Sequence, residues 1–282
     1  MDVADVMTAR AELVTVSLPG TREDALSYLQ EQDFSSVAVV KEEDGNEAFR
    51  GLVTRESLIS RPDEDQLAIL AEERPTTASD ATIEDLARLM LEEGIRRVPV
   101  VDDALVGIVT VTDVIQAMAD GDVDGEAAVG DLAREGIHTL YQGAPLPVAE
   151  RQLAHAGVPY GVVLDDDADM CGVLTEVDIL GVARIVEGET ETGESVANQD
   201  DEWMWEGIKT VGSRYMPTRN VEIPAEPVSD FMSADVITLT RTKTAQEAAQ
   251  RMVSADIEQI PLVSGGKLSG IVRDVDLLEA LQ

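Results

Sequence analysis

The chain has 282 residues, with 21 Lys and Arg against 56 Asp and Glu and a net charge of −35. A chain so acidic shows no basic face of the kind that neutralising nucleic-acid phosphates requires, which argues against a nucleic-acid partner. The single cysteine excludes a disulfide framework, and no apolar run approaches the roughly 20 residues of a membrane span. Apolar residues make up 44% of the chain and aromatics only 3%, so the cores are built from Val, Leu, Ile, Ala and Met, and the length calls for two modules. The start, Met1-Asp-Val-Ala-Asp5, is acidic where a signal peptide is basic, and the expectation is a soluble, cytoplasmic protein. The lysines are Lys41, Lys209, Lys243 and Lys267 alone, and acid is spread along the whole chain. A lysine-poor, acidic surface fits a high-salt cytoplasm, as in extreme halophiles, because self-repulsion of this size is tolerated when screened.

In chain order, an amphipathic helix opens at Thr21-Arg-Glu-Asp24. The strand Val37–Val40, a long polar turn and Gly51-Leu-Val-Thr-Arg-Glu-Ser57 follow it. A short acidic linker, Arg61 to Gln66, leads to a second helix at Thr82-Ile-Glu-Asp85, whose apolar stripe is Ile83, Leu86, Ala87 and Met90. Next come the strand Val98–Val101 and the apolar run Leu105 to Val109, ending at Thr110. Beyond it Val111, Val114, Ile115 and Met118 share one helix face. Thr110 therefore stands where strand turns into helix, and Asp113 lies in the first helical turn. Backbone N–H groups there lack intrahelical partners and the helix dipole favours negative charge, so an anion or a sugar can be held. Thr-x-x-Asp is also a capping box, which by itself only starts a helix.

The turn-rich Gly121-Asp-Val-Asp-Gly125 divides the modules. A third copy, Gly172-Val-Leu-Thr-Glu-Val-Asp178, follows the strand Val162–Leu164, and its helix has Pro147 near the start in place of a capping threonine. Glu187 to Pro227 is an insert. It begins acidic and polar, as a solvated linker does, and then carries Trp203, Trp205, Ile208, Val211, Tyr215 and Met216, expected to pack on the module. A fourth copy has a helix at Thr244-Ala-Gln-Glu247 with Ala245, Ala248, Ala249 and Met252 on one face. It continues with Ile260–Val263 and Gly270-Ile-Val-Arg-Asp-Val-Asp276. Cap to glycine measures 30, 25 and 26 residues in the three capped copies, so the chain reads as internal repeats.

This strand–helix–strand–strand–helix unit resembles the CBS domain. The residues that carry the resemblance are the Gly-x-x-Thr-x-x-Asp stretches, Ile95-Arg-Arg-Val-Pro-Val-Val-Asp102, and the openings Val3-Ala-Asp-Val-Met-Thr8 and Val228-Ser-Asp-Phe-Met-Ser233. The units are residues 1–60, 67–120, 126–186 and 228–282, with the insert at 187–227. Four such units are similar in plan to the gamma subunit of AMP-activated protein kinase. The resemblance implies an α+β fold, in which units one and two pair, units three and four pair, and the two modules pack as a flat disk.

It also implies ligand binding in clefts without turnover, the ligand being AMP, ADP, ATP or S-adenosylmethionine. Binding would be read by a protein partner or a second copy, and no metal is called for. Unit two carries every expected element: Thr110, Asp113 for the ribose, and Arg96 and Arg97, at a position where the family places basic side chains that meet phosphates. Unit three keeps Thr175 and Asp178 but has Pro159 and Tyr160 in place of the arginines, and His138 stands where the family places a residue beside the base. Unit four has Asp276 and, at the threonine position, Arg273, which can bring positive charge to a phosphate. Unit one keeps only Thr54, since Ser57 replaces the carboxylate. The alternatives are a nucleic-acid-associated regulator, which would need a helix-turn-helix or a basic patch that the acidic composition lacks, and an enzyme related to IMP dehydrogenase. The enzyme would need a large barrel and a catalytic loop, for which four repeats and an insert leave no room.

Overall fold

A computed structural model describes residues 1–31, 36–43, 46–54, 57–58, 61, 64–188 and 218–282. The tryptophans and the rest of the expected aromatic patch lie outside these residues. Chain contacts divide the protein into two compact units, one of Met1–Arg134, Thr238–Ser264 and Ser269–Gln282, the other of Glu135–Ile237 and Gly265–Leu268.

In repeat one, β1 (Thr8–Ala9) precedes β2 (Thr15–Leu18), α1 (Arg22–Glu31), β3 (Ser36–Glu43) and β4 (Asn46–Thr54). The strands β2 and β3 run parallel, and β3 and β4 antiparallel. A helical turn, α2 (Leu67–Leu70), leads to repeat two, with α3 (Ile83–Glu93), β5 (Arg97–Val101), β6 (Leu105–Thr110) and α4 (Val111–Asp120). Repeat three has the turn α5 (Val129–Leu132), then β7 (Thr139–Tyr141), α6 (Leu146–Ala156), β8 (Tyr160–Leu164), β9 (Met170–Thr175) and α7 (Glu176–Val182). A ribbon of β10 (Arg184–Gly188) and β11 (Thr218–Glu222) brackets the insert. Repeat four follows with α8 (Ala245–Ala255), β12 (Gln259–Ser264), β13 (Lys267–Arg273) and α9 (Asp274–Leu277), which runs into a last 3-10 turn, Leu278–Leu281.

The helices start where the capping signals place them. Thr82 Oγ1 accepts the Asp85 N–H at 3.1 Å, and Thr244 Oγ1 accepts the Glu247 N–H at 3.2 Å. At α1, Asp24 accepts the Thr21 N–H at 2.7 Å. Each cap satisfies donors that the first turn leaves unpaired, and is worth about 1 kcal/mol.

Each repeat is closed by the leading segment of another. In the first unit, the leader of repeat one lies on repeat two: Val3 N–H donates to Ala81, and Thr8 pairs with Ile108. The leader of repeat two lies on repeat one, with Leu52 and Glu72 exchanging N–H···O bonds of 3.0 and 2.9 Å. The leader of repeat three reaches repeat four, where Arg134 and Ile271 exchange bonds of 2.9 and 3.1 Å. In the second unit the leader of repeat four lies on repeat three, through Val173 and Ser233 at 3.0 and 2.9 Å.

These crossings give the glycine of each Gly-x-x-Thr stretch a physical reason. A Cβ on Gly107 would sit 2.7 Å from both Met7 Sδ and the Thr8 carbonyl oxygen. On Gly51 it would meet the Glu72 carbonyl carbon at 2.9 Å, and φ there is +135°, which also favours glycine. On Gly172 it would meet the Met232 Cγ at 2.9 Å. The glycines let a partner's backbone pass.

One core in the first unit joins two repeats that the sequence assigned to different modules. Val98, Val109, Val114, Ile115 and Met118 of repeat two are continuous with Ala245, Ala248, Ala249, Met252 and Leu277 of repeat four. The pairing of one with two and three with four holds for the leaders, but the helices of repeats two and four also face each other. The reason is that α4 is apolar on more than one side. Val111, Val114, Ile115, Ala117, Met118 and Ala119 are all buried, more than its own sheet covers, and the small alanines of α8 let the second helix approach. A second, smaller core lies between the sheets of repeats one and two: Ala38, Val40, Leu52 and Leu105, with Phe49, Val101 and Ile108 against them.

Candidate functional site

The N-terminus of α4 is the best-equipped position in the first unit. Thr110 has extended backbone, and Asp113 Oδ2 accepts both its N–H, at 2.7 Å, and its Oγ1–H, at 2.8 Å. Thr110 Oγ1 in turn accepts the Asp113 N–H at 3.4 Å. The capping box is therefore closed, and the threonine hydroxyl is used up by it. The box occupies one carboxylate oxygen only. Among the described residues no donor reaches Oδ1, which leaves a fixed acceptor half-exposed at a helix start.

Arg97 stands directly across from Thr110 in the β5–β6 register, so both side chains leave the same sheet face. Further along that face, Val101, Leu105 and Ile108 pack on Ala38, Val40 and Leu52 of repeat one. Thr110 and Arg97, with Asp113 one helical turn on, thus lie at one end of the sheet face that packs on repeat one. Burial, and next the neighbouring charge of Arg96, push the Arg97 guanidinium down, with Glu258 countering them. Among the described residues Arg97 has no side-chain hydrogen bond or ion pair.

Arg96 is engaged elsewhere. Its Nη1 donates to Asp274 Oδ1 at 3.0 Å, and its Nη2 to Asp274 Oδ2 at 2.6 Å and Glu258 Oε1 at 2.9 Å. Burial works against the charge on Arg96, but the Asp274 hydrogen bonds and charge, with Glu258, more than offset it and leave its pKa raised. The two arginines predicted as a phosphate pair are thus split, one bound across to repeat four and one open.

In repeat three, Asp178 Oδ2 accepts the Thr175 N–H at 2.8 Å and its Oγ1–H at 2.7 Å, the same closed box with Oδ1 uncommitted. Tyr160, nearly buried, stands across from Thr175 where repeat two has Arg97. His138 is exposed, and its carbonyl accepts the Val162 N–H.

In repeat four, Arg273 turns onto its own carboxylate. Its Nε and Nη2 donate to Asp276 Oδ2 and Oδ1 at 2.9 and 2.6 Å, and Arg134 Nε donates to Oδ1 at 2.9 Å. The Asp276 side chain is 1% exposed. Burial opposes its charge, yet the Arg273 and Arg134 hydrogen bonds hold its carboxyl below the usual range. Both its oxygens are taken, so it presents no acceptor to a ribose, and Arg273 is not turned toward an incoming phosphate.

In repeat one, Ser57 Oγ accepts the Thr54 N–H at 3.0 Å and donates to the Thr54 carbonyl at 2.9 Å. The loop is a cap without a carboxylate.

Sequence reasoning missed Asp274, Glu258 and Arg134. A signal was present: Ile257-Glu-Gln-Ile-Pro261 aligns with Ile95-Arg-Arg-Val-Pro99, so the equivalent residues Arg96 and Glu258 carry opposite charge, as two positions that meet would. No group of three metal-ligating side chains occurs among the described residues. The Cys171 thiol faces Gln142 and the Val163 carbonyl, and burial followed by the Asp165 charge pushes it up, away from the reactive thiolate. Two surface depressions lie in the second unit, one along α6 and one between the end of α7 and residues 222–231, and neither includes a predicted site residue.

Four hairpins, each with a parallel strand or bridge against its first strand, together with the capped helices, define a mixed α/β tandem-repeat protein. The CBS domain family matches residues 3–64, 69–120, 129–184 and 228–282, and the chain belongs to it. MJ1404, an uncharacterized protein of Methanocaldococcus jannaschii, is 25% identical over 279 residues, covering 98% of this chain. The chain spans 61% of that relative's length. The crystal structure of an uncharacterized conserved protein from Pyrococcus horikoshii superposes over 100% of both chains with a TM-score of 0.71 and 26% identity. That of MJ1225 from Methanocaldococcus jannaschii, proposed as an archaeal homologue of g-AMPK, also covers 100% of both, with a TM-score of 0.65 and 20% identity.

Proposed function

We propose that the protein is a regulatory ligand-binding protein that takes an adenosyl ligand, AMP, ADP, ATP or S-adenosylmethionine, at the Thr110–Asp113 end of the sheet face that packs on repeat one, without turnover. The observation that carries this reading is Arg97 set across from Thr110 at the capped start of α4, with no side-chain partner among the described residues, in a chain of net charge −35. An open second oxygen alone would not distinguish Asp113, since Asp24 caps α1 in the same way. The open Oδ1 suits a vicinal diol, because it can accept from both hydroxyls. Arg97 suits a phosphate or carboxylate, because its planar fork donates two parallel bonds.

Thr175–Asp178 is a second candidate, poorer by one cation. Binding at the first site bears on β5, β6 and α4, and α4 packs on α8. A ligand that prefers one spacing of those helices shifts their equilibrium, and a protein partner or a second copy can read that shift. Mass spectrometry of small molecules released from natively purified protein, followed by calorimetry with AMP, ADP, ATP and S-adenosylmethionine in concentrated KCl, tests the reading. Flat titrations for all four overturn it.

A further inference from the structure

Asp274 has no role in that reading, yet it is among the most buried charged groups of the first unit. Its side chain is 7% exposed and holds the Arg96 guanidinium through both oxygens. Its Oδ1 also accepts the Val275 N–H at 2.7 Å, which fixes the carboxylate at the start of α9. Glu258, exposed, takes the remaining face of Arg96 at 2.9 Å. The Arg96 carbonyl accepts the Val111 N–H at 3.0 Å, so this guanidinium stems from the residue beside the capped start of α4. A planar anion is thus already bound bidentately to the arginine next to Arg97.

We propose that Asp274 sets how many phosphates the Thr110–Asp113 site accepts: by occupying Arg96 it leaves Arg97 as the open cation of the site, and the site takes a nucleoside monophosphate in preference to a triphosphate. This rests on the adenosyl reading and narrows it. Each further phosphate brings negative charge into an acidic protein, and it binds only where a cation is free to meet it. Arg97 can match one phosphate. Among the described residues, a second or third would have to displace Asp274 or Glu258 from Arg96, stranding a buried carboxylate, or remain unpaired.

Calorimetry with AMP and with ATP, at one fixed molar KCl concentration and without divalent cations, is run on the wild type, Asp274→Asn and Glu258→Gln. The wild type is expected to bind AMP at least about tenfold more tightly than ATP, the discrimination one charge-assisted contact supplies. Asp274→Asn weakens the hold on Arg96, so ATP affinity should rise by about tenfold while AMP changes by less than about threefold. Glu258→Gln removes only the exposed partner. It serves if Asp274→Asn does not fold, and it should move the AMP-to-ATP ratio the same way by a smaller factor. A merely structural bridge would lower the melting temperature and leave that ratio alone. AMP binding with an unchanged ratio in every folded variant, or a wild type that binds ATP as well as AMP, overturns the role of Asp274 only. No binding of either nucleotide by the wild type overturns the adenosyl reading and this inference with it.

Discussion

Asp113→Ala separates the two uses of one carboxylate. The substitution removes Oδ2, which accepts the Thr110 N–H at 2.7 Å and its hydroxyl at 2.8 Å, and it removes Oδ1, which meets no described donor. Losing the Oδ2 contacts undoes half of a capping box, a cost of about 0.5–2 kcal/mol. In a chain of this size that lowers Tm by only a few degrees, at roughly 2–4 °C per kcal/mol. Losing Oδ1 removes a hydrogen bond from a sugar hydroxyl to a charged acceptor, about 1.5–3 kcal/mol, or roughly tenfold to a hundredfold in affinity. Asp113→Asn isolates the second effect, because its carbonyl can still accept the Thr110 N–H while the other atom becomes a donor. Thermal melts and AMP calorimetry on the two variants should show a lower Tm for Ala and a smaller loss for Asn, with weakened AMP binding in both. A lowered Tm with wild-type affinity for AMP in Asp113→Ala would refute the reasoning and leave Asp113 a cap alone.

Gly107→Ala places a methyl 2.7 Å from Met7 Sδ and from the Thr8 backbone oxygen, and β1 cannot retreat without leaving β6. Overpacking of this kind costs about 1–3 kcal/mol, so chemical denaturation should show a loss in that range, and a midpoint equal to wild type would contradict the leader crossing. Asp276 has a lowered folded pKa, so its ionised form contributes stability that is present above the unfolded value of about 3.9 and lost as pH falls through the folded value. Acid titrations of Tm should therefore fall less steeply below about pH 4 in Asp276→Asn than in wild type, and parallel curves would deny the linkage. With −35 net charge, Tm should also rise between low salt and molar KCl, since the Debye length at about 1 M is near 3 Å. An unchanged or falling Tm would rule out the halophilic reading of the composition.

The repeat plan, the helix starts and the apolar stripes were legible because each is a local property. A cap is a bond between residues three apart, as from Thr82 to Asp85, and a stripe such as Ile83, Leu86, Ala87 and Met90 follows from helix period alone. The same locality made Thr110 and Asp113 readable as a helix start with an anion-friendly end.

What sequence alone left undecided is which of two carboxylate oxygens stays open, and which arginine is free. Arg96 and Arg97 are adjacent and chemically identical. Arg97 faces repeat one across from Thr110, while Arg96 meets Asp274, 178 residues away. Likewise Asp276 matched the site pattern, but Arg134, 142 residues upstream, and Arg273 close over it. The glycines of the repeated stretches carry no local signal of their role, which is to let another repeat's leader cross. Pattern and propensity specify each face of an element, whereas a pairing between repeats depends on charges and shapes brought together over more than a hundred residues. Only the packed chain, in which α4 buries more surface than its own sheet covers and draws repeat four against repeat two, decides them.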